Sequence, residues 1–209
     1  MNKIQHYLAL GDSYTIGEAV APNESFPFQL AALLRSDEHP VDELRVVAKT
    51  GWTTDELSAA IDEAEQASPI NHNYDLVSLL IGVNNQYRGR SVENFIEEFT
   101  DLLVRAIGYA QNDPKRVRVL SIPDWGVTPY AAERDREQIA REIDRYNEAK
   151  ESICKQHGVI FIYITDLTRE AADRPEWITT DGLHPAGADY RRWALRVWNT
   201  LKTNQTTPF

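Results

Sequence analysis

Five short runs of apolar, often β-branched residues recur along the chain: Tyr7–Leu10, Leu44–Ala48, Asp75–Ile81, Val117–Ile122 and Val159–Ile164. The third, DLVSLLI, barely alternates between apolar and polar residues. That is the pattern of a strand covered on both faces, as in a parallel sheet. Helix-like patterns near 25–37, 54–66, 92–111 and 130–157 separate the runs, and a last one near 186–202 follows them. In 92–111 the residues Val92, Phe95, Phe99, Leu102, Leu103 and Ala106 fall at helical spacing. Ser91 with Asn94 opens that helix, and Asn112-Asp113-Pro114 closes it. No repeat, low-complexity tract or Gly/Ser linker interrupts the alternation, which predicts one α/β domain over residues 1–209 with a central parallel sheet. In such sheets function gathers at the carboxyl ends of the strands.

Composition narrows the chemistry. Lys and Arg number 22 against 32 Asp and Glu, a formal net charge of −10. So acidic a chain is a poor partner for nucleic acid and repels polyanions and anionic membrane surfaces. Cys154 is the one cysteine, which excludes an intrachain disulfide and a thiolate metal cage. Apolar runs fall far short of a membrane span. Met1-Asn2-Lys3 lead straight into the first strand pattern, with no signal peptide to read, so the expected setting is the reducing cytoplasm. His6, His39, His72 and His157 stand in polar or helix-end contexts and read as surface residues without metal-ligand spacing. Cys154 reads as a small core or boundary residue, and Glu133–Arg145 as a solvated helix face with local ion pairs.

The polar clusters fall at the predicted strand ends. Gly11-Asp12-Ser13 ends the first strand, Thr50-Gly51-Trp52 the second and Gly82-Val83-Asn84-Asn85 the third, while Asp181-Gly182-Leu183-His184-Pro185 precedes the last helix. Acyl transfer needs a hydroxyl nucleophile, an imidazole to take its proton, a carboxylate to orient the imidazole, and N–H donors for the oxyanion. Ser13, His184 and Asp181 can fill the first three roles. The backbone N–H groups of Ser13 and Gly51, with the Asn84 side-chain amide, can fill the last. Asp181 and His184 are three residues apart, so a short turn can bring carboxylate to imidazole. No Gly-x-Ser-x-Gly elbow is present, and Gly17 is followed by Glu18-Ala19 rather than the Lys-Ser/Thr of a phosphate loop.

At these residues the chain resembles the GDSL/SGNH hydrolase family of esterases and lipases, with all four blocks in the family's order from Gly11 to His184. The resemblance implies a three-layer α/β/α, flavodoxin-like fold with a five-stranded parallel sheet. It also implies a Ser-His-Asp triad, a three-donor oxyanion hole, and no metal or other cofactor. Three positions depart from the usual pattern: Tyr14 where Leu is usual, Asn85 where Asp often follows, and Ala48-Lys49-Thr50 where an Asn is common before Gly51. They bear on pocket and local support rather than on reaction class.

The expected function is hydrolysis of a small-molecule carboxylic ester through an acyl-serine intermediate. Tyr14, Trp52, Trp125, Tyr130 and Trp177 are candidates to line the substrate pocket. Loops 123–135 and 173–180 are expected to choose among short-chain ester, lysophospholipid, thioester and acetylated sugar. The pattern fixes no oligomeric state. Two rivals remain open at this point. A flavin-binding electron carrier of flavodoxin type would share the Ser/Thr loop after a strand, the later aromatics and the acidic surface. A catalytically inactive acyl- or carbohydrate-binding module could use the same fold.

Overall fold

The computed structural model describes residues 3–203. Met1 and Asn2, read above with Lys3 as leading into the first strand, lie outside them. Five parallel strands form one sheet: β1 (His6–Gly11), β2 (Glu43–Ala48), β3 (Leu76–Leu80), β4 (Val117–Leu120) and β5 (Ile160–Ile162), in the order β2-β1-β3-β4-β5. Every residue of β3 is buried, as its near-continuous apolar run requires. The one polar residue there, Ser78, is satisfied by the Tyr7 hydroxyl of β1 at 2.8 Å.

The helices cover both faces. On one, α2 (Phe26–Ser36) packs on α8 (Gly187–Thr203). On the other, α3 (Thr54–Ala67), α5 (Val92–Tyr109) and α6 (Arg136–Gln156) stand in a row. Three single-turn helices, α1 (Ser13–Ile16), α4 (Val83–Tyr87) and α7 (Thr165–Arg169), follow β1, β3 and β5 directly. None of the three is long enough to leave a periodic signature in the sequence. Among the described residues no helix is long and apolar enough to cross a membrane.

Two expected boundaries move, each for a local reason. The helix placed at 130–157 starts at Arg136, because Asp135 caps it by accepting from Gln138 N at 2.9 Å. Pro129–Ala131 forms a separate 3₁₀ turn. The helix placed at 92–111 stops at Tyr109, since Gln111 and Asn112 take left-handed φ values of 61° and 59°. Its start is as read, with Ser91 Oγ accepting from Asn94 N at 3.2 Å. One histidine is corrected: His39 is buried, and its Nδ1 accepts from Ile4 N at 3.0 Å, fastening the chain ahead of β1.

The order of the strands places the site. With β1 flanked by β2 and β3, the chain leaves the sheet in opposite directions from β1, and a crevice opens at the carboxyl ends of β1 and β3. Gly11, at the end of β1, admits no side chain: a Cβ there would stand 2.1 Å from Thr15 Oγ1 and 2.4 Å from the Leu80 carbonyl oxygen. The close approach of β1 and β3 at the crevice depends on that glycine.

Helix α6 stitches the same edge together. The fully buried Lys150 donates from Nζ to the carbonyl of Ile81 at 3.0 Å and to that of Leu120 at 2.7 Å. One turn earlier, Asn147 Oδ1 accepts from Ile122 N at 2.8 Å. Substituting Lys150→Met keeps the apolar stem but strips both carbonyls of their donor, at about 1–3 kcal/mol each. The variant is expected to unfold at a lower urea midpoint with unchanged slope, a loss of about 2–6 kcal/mol. A wild-type midpoint would contradict this role for Lys150.

Candidate active site

Ser13 is the first residue of α1, fixed there by Asp12, whose Oδ1 accepts from Tyr14 N at 3.0 Å. His184 and Asp181 come from the loop ahead of α8. That loop is closed by an antiparallel bridge between Ile178 and Pro185 and by Thr179 N donating to the His184 carbonyl at 2.8 Å. Across 171 residues of sequence, His184 Nε2 lies 3.0 Å from Ser13 Oγ. Its Nδ1 lies 2.6 Å from Asp181 Oδ2. Hydroxyl, imidazole and carboxylate therefore form one hydrogen-bonded row. Tyr14 packs its ring 5.1 Å from the imidazole of His184, on a backing of Trp193.

The carboxylate of Asp181 is held by more than the histidine. Oδ1 accepts from Thr179 Oγ1 at 2.7 Å, Leu183 N at 2.8 Å and His184 N at 3.0 Å. Partial burial works against ionisation, yet these donors and the imidazole outweigh it and bring Asp181 down to about 2. Asp12 has the opposite balance. Burial pushes its carboxyl up, and its Oδ2 meets no hydrogen-bond partner. Lys150, pushed down by its own burial, pulls the Asp12 carboxyl back toward the charged form.

The other expected donors stand on the same crevice. Gly51 has φ 84°, a left-handed turn that glycine adopts without strain, and Asn84 lies in α4. Asn84 Nδ2 donates one hydrogen to the carbonyl of Trp52 at 2.9 Å. An amide nitrogen carries two hydrogens, so this bond orients the group and leaves the second for a ligand. Asn85 supplies support: its Oδ1 accepts from Thr54 N at 3.1 Å and its Nδ2 donates to Thr54 Oγ1 at 2.6 Å, tying α4 to the start of α3. The polar loops after β2 and β3 are thus held together from both sides.

A cavity of about 190 Å³ opens on Ser13 and His184, walled by Tyr14, Val83, Tyr87, Trp125, Tyr130 and Leu183. Tyr14, Trp125 and Tyr130 fall where the sequence places them. Trp52 does not: its ring packs on the core, and its contribution to the site is the carbonyl that orients Asn84. Nor does Trp177, whose ring is covered by the Arg192 guanidinium at 3.9 Å and approached by that of Arg174 at 5.3 Å. Its carbonyl accepts from Ala186 N at 2.7 Å, so it braces the loop that carries His184. Loop 173–180 consequently gives this cavity no wall. Leu183 escaped the sequence reading because it sits inside the Asp-x-x-His block, where only the polar residues signal chemistry. Lys150 escaped because a lysine in a charge-rich helix reads as solvated. Among the described residues no three His, Cys, Asp or Glu side chains gather as a metal site.

A doubly wound sheet with a hydroxyl–imidazole–carboxylate row at its switch point has the architecture of an acyl-transferring hydrolase. The chain belongs to the GDSL-like lipase/acylhydrolase family, whose model matches residues 9–192. It is an enzyme that hydrolyses carboxylic esters. Among solved structures it is similar to TesA, at 20% identity and TM-score 0.71, over 95% of this chain and 99% of that one. It is also similar to a catalytic mutant of Axe2, an acetylxylan esterase from Geobacillus stearothermophilus, at 17% identity and TM-score 0.70, over 95% and 94%. A third is AlinE4, an SGNH-hydrolase family esterase, at 17% identity and TM-score 0.66, over 99% and 100%. No curated protein matches the chain by sequence. Family membership favours the hydrolase over the flavin carrier and the inactive binding module.

The depressed carboxyl of Asp181 makes a stability prediction. The group binds its proton more weakly in the folded state than in the unfolded one, where an aspartate carboxyl titrates near its ordinary value of about 3.8. Its contribution is therefore fully present above about pH 4 and lost as pH falls through about 2. Asp181→Asn is expected to be less stable than the wild type at pH 6, with the gap closing on acidification in parallel urea titrations. A gap that widens toward pH 2 would contradict the assignment.

Proposed function

We propose that Ser13 is the nucleophile, His184 the general base and then acid, Asp181 the orienting carboxylate, and Ser13 N–H, Gly51 N–H and the Asn84 amide the oxyanion donors. The observation that carries this reading is the unbroken row Ser13–His184–Asp181 facing an open cavity. With Nδ1 donating to Asp181, Nε2 of the neutral imidazole is left as the acceptor for the Ser13 proton. Ser13 Oγ attacks the ester carbonyl carbon as its proton passes to Nε2, and the carbonyl oxygen takes the negative charge. The charge develops among donors held by backbone turns and by the Trp52 carbonyl, so little reorganisation is needed at the moment of reaction. The tetrahedral species collapses, the bond to the leaving oxygen breaks, and His184 returns the proton to that alcohol. Water then attacks the acyl-serine with the same base, and the carboxylic acid leaves with Ser13 restored.

Asp181 stays ionised throughout, because its donors keep it near 2, well below working pH. It stabilises the imidazolium without taking its proton. The acidic surface and the small cavity favour an uncharged or cationic ester in solution over an anionic membrane.

A fluorophosphonate probe should label the wild type stoichiometrically at Ser13, located by peptide mass spectrometry, and should leave Ser13→Ala unlabelled. Labelling elsewhere, or turnover retained in Ser13→Ala, would overturn the nucleophile. Asn84→Ala should remain folded and lose about 10²–10³ in kcat, the usual cost of one oxyanion donor. Wild-type turnover in that variant would remove Asn84 from the mechanism.

A further inference from the structure

We propose that the acyl group this enzyme accepts is a short one, and that Tyr14, Trp125 and Leu183 form the partition that sets its length. The proposal rests on Ser13 as the nucleophile. The cavity of about 190 Å³ is open to solvent on one side, so the limit on chain length lies at its inner end.

The cavity ends at a wall one side chain thick. On the far side lies a second space of about 10 Å³, room for no more than a single water. The two spaces share Tyr14, Trp125 and Leu183 as lining. Two of these three are pinned. Trp125 Nε1 donates to Gln86 Oε1 at 2.7 Å, and Gln86 Nε2 in turn donates to Glu142 Oε2 at 2.7 Å. Tyr14 is 4% exposed and lies between His184 and Trp193. Leu183 is half-buried at the edge of the core and its side chain makes no hydrogen bond, so it is the member most readily removed.

The far side has no room for a long chain that pushed through. Its lining is mainly apolar, with Pro123, Ala171 and Ile178 beside the shared residues, and its two carboxylates, Asp124 and Asp189, are paired with Arg169 Nε at 2.8 Å and Arg192 at 2.9 Å. An alkyl tail could enter only by displacing packed side chains. Wall and lack of space therefore act in the same direction, toward short acyl groups.

The test is kcat/KM for p-nitrophenyl acetate, butyrate and octanoate with the wild type, Leu183→Ala and Trp125→Leu, each checked by thermal melting. The wild type should lose at least tenfold between butyrate and octanoate. Either variant should raise the octanoate-to-acetate ratio by about tenfold. Wild-type preference for octanoate, or an unchanged ratio in both folded variants, would overturn the partition. Fluorophosphonate labelling of the same samples separates the two readings. Ser13 labelled with an unmoved ratio defeats the partition alone, whereas Ser13 unlabelled in the wild type defeats the nucleophile and the partition with it.

Discussion

Ser13 and His184 are 171 residues apart in sequence, and Ser13 Oγ lies 3.0 Å from His184 Nε2. A contact between such distant parts of a chain exists only if the scaffold under each is fixed. Under Ser13 the scaffold is β1, the bare Gly11 that lets β3 come close, and the Asp12 cap that starts α1. Under His184 it is a loop closed on itself by the Ile178–Pro185 bridge and clamped through Trp177 by two guanidinium groups. The parallel sheet gives those two scaffolds a common floor. A shift of about 1 Å between them can cost about two orders of magnitude in rate, which accounts for the number of hydrogen bonds spent on structure rather than on substrate.

The carboxylates near Ser13 show how environment sets charge. Asp181 is part-exposed and collects four donors, and it stays charged. Asp12, one residue before Ser13, is buried with one oxygen unpartnered, and burial drives it toward its neutral form. Lys150 lies beneath, tied to the carbonyls that end β3 and β4. The ionised carboxylate is thus the one that faces the imidazole, and the buried one serves as a helix cap. Two identical side chains are separated by how deeply each is buried and how many donors each receives.

Much of this was legible from the sequence, and the reason is period. Apolar runs without alternation identify strands of a two-sided sheet, and 3.6-residue spacing identifies the long helices. Both signals survive because whole elements carry them. The polar blocks at strand ends were legible because a parallel sheet leaves its chemistry there. What escaped has no such signature. Helices α1, α4 and α7 are single turns. His39 and Lys150 are polar residues whose burial is decided by distant partners, the amide of Ile4 and the carbonyls of Ile81 and Leu120. Aromatic residues fill cores and pockets alike, so Trp125 and Trp177 could not be told apart until Gln86 and Arg192 were placed beside them.

The central claim is that Ser13 and His184 act as one unit rather than as two independent aids to catalysis. A double-mutant cycle on kcat/KM, with Ser13→Ala, His184→Ala and the double variant, measures that coupling directly. The account predicts that each single variant loses about as much activity as the double one, because removing either member silences the other. Losses that multiply, so that the double variant falls by the product of the two single factors, would show that the contact between them is not what drives the reaction.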